Sequence, residues 1–335
     1  MTVKELAKIA GVSPAAISIV LNDKKGVSDE TRQRVLEVLK KYNYTNSKKT
    51  RTAIKNICFL KYKKHGMLVE QNSDFISTIL DAIEAECRLN GYNLSMVVSD
   101  NNFEETVRNL DYSTCDALIV LGTELDEEQN VLLEAIKKPF IVVDNTIRNY
   151  PCNSIAINNE ETVQYALQHL AKLGHKDIAY LHSKVSITNF EERNMAFLRY
   201  CQELGLNFQP ENQYDVPPTL LGAYETMKEL LKSGKPLPSC AFADNDSIAI
   251  GAIKALKEFG LRTPEDISVI GFDDIHFSAI SSPPLTTMSI PKALIGTLAV
   301  RQICNMIEFT PYTDVKLKVG GVFVQRNSTM QKAKK

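Results

Sequence analysis

Apolar positions along the chain change their period once. Over the first forty residues they recur at helical spacing in three short stretches. Leu6, Ile9 and Ala10 make one stripe, closed by Gly11. Ile17, Val20 and Leu21, at i, i+3 and i+4, make a second, and Val35, Val38 and Leu39 a third. Each stretch opens on a capping residue. Thr2-Val3-Lys4-Glu5 reads as a capping box, Ser13 precedes Pro14 at a first helical position, and Ser28 opens the third helix. Asn22-Asp23-Lys24-Lys25-Gly26 breaks the second helix. Two short helices joined by a tight glycine turn, then a third, predict a helix-turn-helix unit.

From Lys55 onward continuous apolar runs alternate with helical stretches. Ile57–Leu60, Leu94–Val98, Ala117–Leu121 and Phe140–Val143 read as strands, with a helix from Phe75 to Asn90 and another before Phe140. The rhythm then restarts: strand Asp177–Leu181, helix Phe190–Leu204, helix Leu220–Leu231, strand Cys240–Phe242, helix Ser247–Phe259 and strand Ile267–Phe272. Strands apolar on both faces between helices predict parallel sheets covered on both sides, hence two doubly wound α/β lobes. Short strands near Asn153–Ile157, Leu285–Ser289 and Val319–Val324 are expected as crossovers. The expected division is a headpiece and short linker at 1–55 and a body at 56–330. Its first lobe takes 56–155 and 288–318, and its second 156–287 and 319–328.

Charge sharpens this division. The net charge is -1, but residues 1–55 hold twelve Lys and Arg against five Asp and Glu, a net +7, which leaves −8 on the rest. A basic head on an acidic body predicts that only the head meets a polyanion. The seven cysteines are scattered, odd in number and never in a CxxC pair, so reduced core thiols are expected rather than a metal site or a disulfide framework. No secretory leader and no apolar run of about 18–20 residues is present. A cytoplasmic chain with no membrane contact follows as the expectation. No GxGxxG after a strand, P-loop, HExxH or GxSxG occurs, so neither an enzyme nor a bound cofactor is expected.

In a helix-turn-helix the second helix enters the major groove with its first turn on the base edges. That places Pro14, Ala15 and Ala16 there, with Ser18, Ile19 and Asn22 further along. The helix starts at Thr2, Ser13 and Ser28 can offer amides and hydroxyls to phosphates. A small helical bundle with a solvated basic face is the plainer alternative. The stretch Thr2–Ser13, followed by Ile17-Ser18 and Val20-Leu21-Asn22, resembles the headpiece of the lac repressor (LacI/GalR) family. Gly26–Arg32 and Tyr42-Asn43-Tyr44 continue the likeness, and through it Thr31 and Arg32 join the DNA-facing set. Two departures matter. The family's Thr-Val-Ser-Arg is here Ala16-Ile17-Ser18-Ile19, which favours contact with thymine methyls over bidentate hydrogen bonds. The family's Asn-Arg-x-Ala-x-x-Leu hinge is replaced by Thr45–Lys55, about four residues shorter and without the leucine that wedges into the minor groove. A basic tether making phosphate contacts is expected instead.

Ligands of open parallel sheets bind beyond the carboxyl ends of strands. Asp144, Asn245-Asp246 and Asp273-Asp274 stand at such ends. For each, a helix cap or a solvated loop charge is the alternative; Asp246 is expected to cap the next helix, and Asp274 to be structural. The family resemblance runs through this region in Leu170-x-x-Leu173-Gly174-His175, Arg193-x-x-x-Phe197, Asn245-Asp246-x-x-Ala249 and Pro264–Asp274, and on through Pro283–Thr287 to Arg326–Thr329. It implies a type I periplasmic-binding-protein fold in which Phe75, Asp144, Arg193, Asn245 and Asp273 hold a small effector, a sugar or sugar derivative. Core packing is the alternative for Phe75. Two carboxylates and an amide suit hydroxyl groups, and an arginine suits a bidentate acceptor. Lys61-Tyr62-Lys63-Lys64-His65-Gly66 could rim the cleft and favour an anionic ligand such as a sugar phosphate; a solvated loop is the alternative. The tail is too short for a tetramerising heptad repeat, so a homodimer on a palindromic operator in double-stranded DNA is expected. The leading expectation is a sequence-specific DNA-binding regulator, a repressor, controlled by a small polar effector. The rival is a cytoplasmic solute-binding or sensor protein with no operator specificity.

Overall fold

In the computed structural model of the chain, residues 3–21, 26–42, 55–69, 73–309 and 313–332 are described. They belong to two compact units, Met1–Ile54 and Lys55–Lys335.

The first unit holds helices α1 (Val3–Ala10), α2 (Pro14–Leu21) and α3 (Asp29–Lys41). Gly11, at φ +65°, reverses the chain after α1, and the Val12 amide closes on the Ala7 carbonyl at 3.0 Å. The core is Leu6, Ala7, Ala10, Ile17, Val20, Val35 and Leu39, with Val12, Leu21, Val27 and Val38 at its margin. Ile9 departs from the expected stripe and stands 48 % exposed. Leu6, Ala7 and Ala10 share one face of α1, and Ile9 lies roughly 100° round from Ala10.

The second unit has two parallel sheets. The first lobe orders its strands β11-β5-β4-β3-β1-β2. They are β1 (Lys55–Lys63), β2 (Tyr92–Asp100), β3 (Ala117–Leu121), β4 (Phe140–Val143), β5 (Asn153–Ile157) and β11 (Lys316–Val319). The second lobe orders them β7-β6-β8-β9, from β6 (Asp177–Ser183), β7 (Asn207–Val216), β8 (Cys240–Ala243) and β9 (Ser268–Ile270). A short antiparallel pair, β10 (Thr287–Ser289) and β12 (Val322–Val324), completes the unit. Of the segments expected as crossovers, Asn153–Ile157 is a full member of the first sheet, as β5, whereas Val319–Val324 holds β12; β11, which meets that segment only at Val319, is additional. The chain passes between lobes after β5, after β10 and between β11 and β12.

Helices α4 (Ser73–Leu89) and α11 (Lys292–Glu308) pack together over the first sheet. Their approach depends on Gly296, where a Cβ would lie 2.5 Å from the Ile79 carbonyl oxygen. The second lobe carries α6 (Asn159–Lys172), α7 (Thr188–Leu204), α8 (Leu220–Leu231), α9 (Asp246–Glu258) and the short α10 (His276–Ile280). Several local features differ from the sequence expectation. The helix before β4 is a 3₁₀ helix, Glu127–Ala135, opened by an Asp126–Gln129 capping box. Helices α5 (Phe103–Asn109), α6, α10 and α11 and edge strand β7 are additional. All seven cysteines are unpaired, and six are buried. Among the described residues no helix is long and apolar enough to cross a membrane, and no cluster of His, Cys, Asp and Glu could hold a metal.

Candidate functional site

The first unit exposes two serine-capped helix starts. Ser13 Oγ accepts from the Ala16 amide at 3.2 Å, and Pro14 fills the first helical position, as its fixed φ favours. Ser13, Pro14, Ala15 and Ser18 are exposed, while Ala16 and Ile19 are half-buried. At α3, Ser28 Oγ accepts from the Thr31 amide at 3.3 Å and donates to Thr31 Oγ1 at 2.9 Å. Ser28 is exposed, with Thr31 and Arg32 half-buried. Thr2, Asn22 and linker residues 43–54 lie outside the described residues.

The second unit encloses a cavity at the carboxyl ends of its strands, where doubly wound sheets bind ligands. Apolar groups on it are Leu68, Phe75, Ile76, Ile187 and Phe190; polar groups are Thr123, Asp144, Asn189, Arg193, Asn245 and Asp273. Five of these eleven are the residues singled out from sequence, and the structure brings them to one cavity drawn from both lobes. The space between their side chains is so narrow that only about one water would fit.

Asp144 ends β4 and Asp273 follows β9, and both have left-handed backbones, at φ +62° and +108°. Such conformations are strained for residues with a Cβ. Each is held by a neighbouring strand: the Asp144 amide donates to Ile155 at 2.8 Å and the Asp273 amide to Met288 at 2.9 Å. Lys292 Nζ, buried, donates to the Asp273 carbonyl at 2.5 Å and the Asp274 carbonyl at 3.1 Å. Asp144 accepts from Thr123 Oγ1 at 2.6 Å and Asn189 Nδ2 at 3.0 Å. Burial pushes its carboxyl up to about 6, aided by the nearby Asp273 charge and opposed by these hydrogen bonds and Arg193.

Arg193, on the first turns of α7, is 3 % exposed. Nε donates to Asn159 Oδ1 at 3.0 Å, Nη1 donates to the Asp244 carbonyl, and Nη2 stands 3.5 Å from Asp273 Oδ1. Its plane stacks on the Phe272 ring at 3.7 Å. A planar five-donor group fixed on three sides can present its remaining N–H groups as a fork. Asp244 is itself a buried hub, accepting from Tyr180 Oη at 2.5 Å, His182 Nδ1 at 2.7 Å and the Ser183 amide at 2.8 Å.

Several sequence expectations are corrected here. The cap of α9 is Asn245, not Asp246: Asn245 Oδ1 accepts from the Ile248 amide at 2.8 Å, and its Nδ2 donates to Pro218 at 3.2 Å. Asn245 therefore lines the cavity while doing structural work. Asp246 is buried beneath, accepting from Ser278 and Thr287 hydroxyls, each at 2.6 Å. Burial raises its carboxyl to about 7. Asp274 is structural as expected, paired with Arg326 at 2.7 Å. Phe75 belongs to the main core, its alternative reading, and its side chain also lines the cavity.

Most of the cationic rim is paired rather than free. Lys63 pairs with Asp100 and Lys64 with Asp126, each at 2.5 Å, and His65 faces Glu124. The buried Glu124 carboxylate accepts five backbone amides, from Lys64, His65, Gly66, Leu68 and Val69, at 2.8–3.2 Å. What the loop brings to the cavity is the side chain of Leu68. Sequence reasoning missed Thr123 and Asn189. Thr123 lies just past the end of β3, and Asn189 sits four residues before Arg193 on the same helical face, so each carried a usable signal.

Comparison with known proteins agrees with this architecture. Residues 2–57 match the model for bacterial regulatory proteins of the lacI family, and residues 167–329 match a periplasmic binding protein-like domain. The HTH-type transcriptional repressor PurR of Pasteurella multocida (strain Pm70) is 33 % identical over 311 residues, covering 91 % of this chain and 92 % of that protein. Two solved structures share the fold. The lac repressor dimer bound to operator and the anti-inducer ONPF has a TM-score of 0.74 at 24 % identity, over 98 % of this chain and 99 % of that one. The complex of the transcriptional regulator CelR with cellobiose has 0.72 at 20 %, with the same coverage. The chain belongs to the lacI family of bacterial regulatory proteins and is a DNA-binding transcriptional regulator under small-molecule control, not an enzyme.

Proposed function

We propose that this regulator is a cytoplasmic repressor that acts as a homodimer on a palindromic operator. In this reading Ser13, Pro14, Ala15, Ala16, Ser18 and Ile19 meet the major groove, and Ser28, Thr31 and Arg32 the phosphates. Thr2 and Asn22 extend the same set. Phe75, Asp144, Arg193, Asn245 and Asp273 hold the effector. One observation carries it: a chain with a helix-turn-helix also has a cavity lined by a carboxylate from each lobe and one buried arginine, which is paired with Asp273.

The pocket's charges select the ligand class. Two carboxylates against one guanidinium disfavour a phosphate or a carboxylate ligand; of the nearby lysines, Lys63 and Lys64 are ion-paired and Lys292 is turned to the Asp273 and Asp274 carbonyls. The ligand proposed is an uncharged, hydroxyl-bearing molecule, a sugar or sugar derivative, with one face on Leu68, Phe75 and Phe190. Exposed apolar groups support the dimer: Met96 and Val98 on edge strand β2, and Leu221, Phe277 and Ile280 on the second lobe.

Fluorescence anisotropy against duplex selected from random sequence tests the function, with a thermal-shift panel of neutral sugars, sugar phosphates and sugar acids. Specific binding that responds to a neutral sugar is expected, with Arg193→Ala and Asp273→Ala abolishing the response. Equal affinity for selected and random duplex refutes the repressor. Unchanged sugar affinity in both variants refutes the pocket.

A further inference from the structure

The Arg193 guanidinium leans on an asparagine that also reaches the outside of the hinge. Asn159 opens α6 directly after β5, where the chain crosses from the first lobe to the second. Its side chain is fully buried and all its polar capacity is used. Oδ1 accepts from Arg193 Nε at 3.0 Å, and Nδ2 donates to Asn189 Oδ1 at 2.9 Å and Glu192 Oε2 at 2.8 Å. Asn189 in turn holds Asp144. Glu192, on α7 of the second lobe, takes two first-lobe cations on its other oxygen. They are Arg148 Nη2 at 3.3 Å, from the loop after β4, and Lys318 Nζ at 3.4 Å, from β11. One amide thus touches the cavity's arginine, the residue that positions its carboxylate, and the carboxylate that ties the lobes together.

We infer that Asn159 is a positioning residue that couples occupancy of the cavity to the Glu192–Arg148–Lys318 brace, and so to the angle between the lobes. The inference rests on reading the cavity as the effector site and names a route by which that site is regulated. Neither Asn159 nor Glu192 lines the cavity, so neither is a ligand. An amide whose oxygen and both N–H groups are engaged cannot follow one partner without lengthening its bonds to the others. A ligand that draws Arg193 toward itself pulls on Oδ1. The amide then releases Glu192 Oε2, and the cations on Oε1 lose a fixed counterion. The brace stands beside two of the crossovers, where a small shift is amplified into rotation of one lobe against the other.

The test is a variant cycle on the full chain that needs no ligand. Arg193→Lys and Arg148→Ala are made singly and together, with Asn159 present and again with Asn159→Ala, and urea unfolding is followed. Arg148 and Arg193 form no hydrogen bond or ring contact with each other, and independent sites multiply in the unfolding constant to within about twofold. A departure of about fivefold or more is expected with Asn159 present, falling within about twofold in Asn159→Ala. A smaller departure with Asn159 present overturns the inference, as does one that survives its removal. Lys318→Ala replaces Arg148→Ala if that variant does not fold.

Amide hydrogen exchange supplies a readout that a merely structural role would not move. Residues 64–69, on the first lobe, meet Ile187 and Phe190 across the cavity through Leu68 and contribute no group to the brace. Arg148→Ala should speed exchange there at least about fivefold while leaving β3 unchanged, and should add nothing in Asn159→Ala. Equal rates at the cavity, or a uniform rise across the lobe, overturns the coupling. Failure to find an operator or a sugar would defeat the proposed function and leave this cycle to be judged separately.

Discussion

Replacing Asp144 by asparagine should stabilise the protein at neutral pH while weakening its site. The carboxyl is pushed from an ordinary 3.8 up to about 6, chiefly by burial. A group whose folded value is raised favours the native state only where it is protonated. Stability from Asp144 is therefore full below about pH 4 and is lost as pH rises to about 6. Above that it leaves a constant penalty of about 3 kcal/mol, from roughly two units at 1.36 kcal/mol each. Asparagine removes the charge and keeps the contacts: its Oδ1 accepts from Asn189 Nδ2, and its Nδ2 donates to the Thr123 hydroxyl, which can turn to accept. Allowing for relaxation, Asp144→Asn should gain about 1–3 kcal/mol at pH 7.5, and the gain should vanish near pH 4. The chain has no tryptophan, so urea unfolding followed by far-UV circular dichroism between pH 4 and 8 is the assay. A destabilised variant at pH 7.5 with an unchanged denaturant slope, or a difference that does not vary with pH, refutes the reasoning.

Other perturbations follow from single contacts. Gly296→Ala places a Cβ 2.5 Å from the Ile79 carbonyl, so it should cost about 1–3 kcal/mol in urea unfolding by forcing α11 off α4. Glu124→Gln sets an amide N–H against backbone donors that a carboxylate satisfied, and should cost about 2–4 kcal/mol at pH 7. Burial pushes the Glu124 carboxyl up, but its backbone amides outweigh that and hold it below the usual range. Its contribution therefore persists at neutral pH and fades as pH falls through that lowered value, so the Gln variant should converge on wild type in acid. Arg32→Ala should weaken operator and random duplex alike and lower the slope of log affinity against log salt by about one.

Legibility in the sequence followed the range of the interactions. The caps at Ser13 and Ser28 were readable because donor and acceptor lie three residues apart. The cavity residues Asp144, Asn245 and Asp273 were readable because a strand's carboxyl end is a local feature whose meaning the fold class supplies. The assignment of capping to Asp246 failed by one residue, since either side chain could serve and only the burial of Asp246 under Ser278 and Thr287 decides between them. The basic loop was misread because the partners of Lys63 and Lys64 lie at Asp100 and Asp126, far along the chain. The seat of Glu124 was invisible for the same reason, as its five donors come from a loop more than fifty residues earlier. Strand β7 escaped because Asn207–Val216 carries Pro210 and a polar run. An edge strand tolerates both, and neither gives a period of two.

Each lobe bears the same expense at the same place. Asp144 and Asp273 adopt backbones that cost on the order of 1–3 kcal/mol apiece, and Lys292 and Asn189 are committed to holding them. Glycine would relieve the strain at either position, but it would also remove the carboxylate, so the carboxylate is what the arrangement preserves. The cavity between them is too narrow for a sugar. Any sugar bound by these groups must therefore meet a wider arrangement, reached by parting Leu68 from Ile187 and Phe190. That contact joins one lobe to the other. A ligand that binds only the wider form shifts the lobe angle by its difference in affinity for the two forms, and the lobe angle must alter ligand affinity by the same factor. The narrowness of the site thus makes ligand binding and lobe movement a single equilibrium.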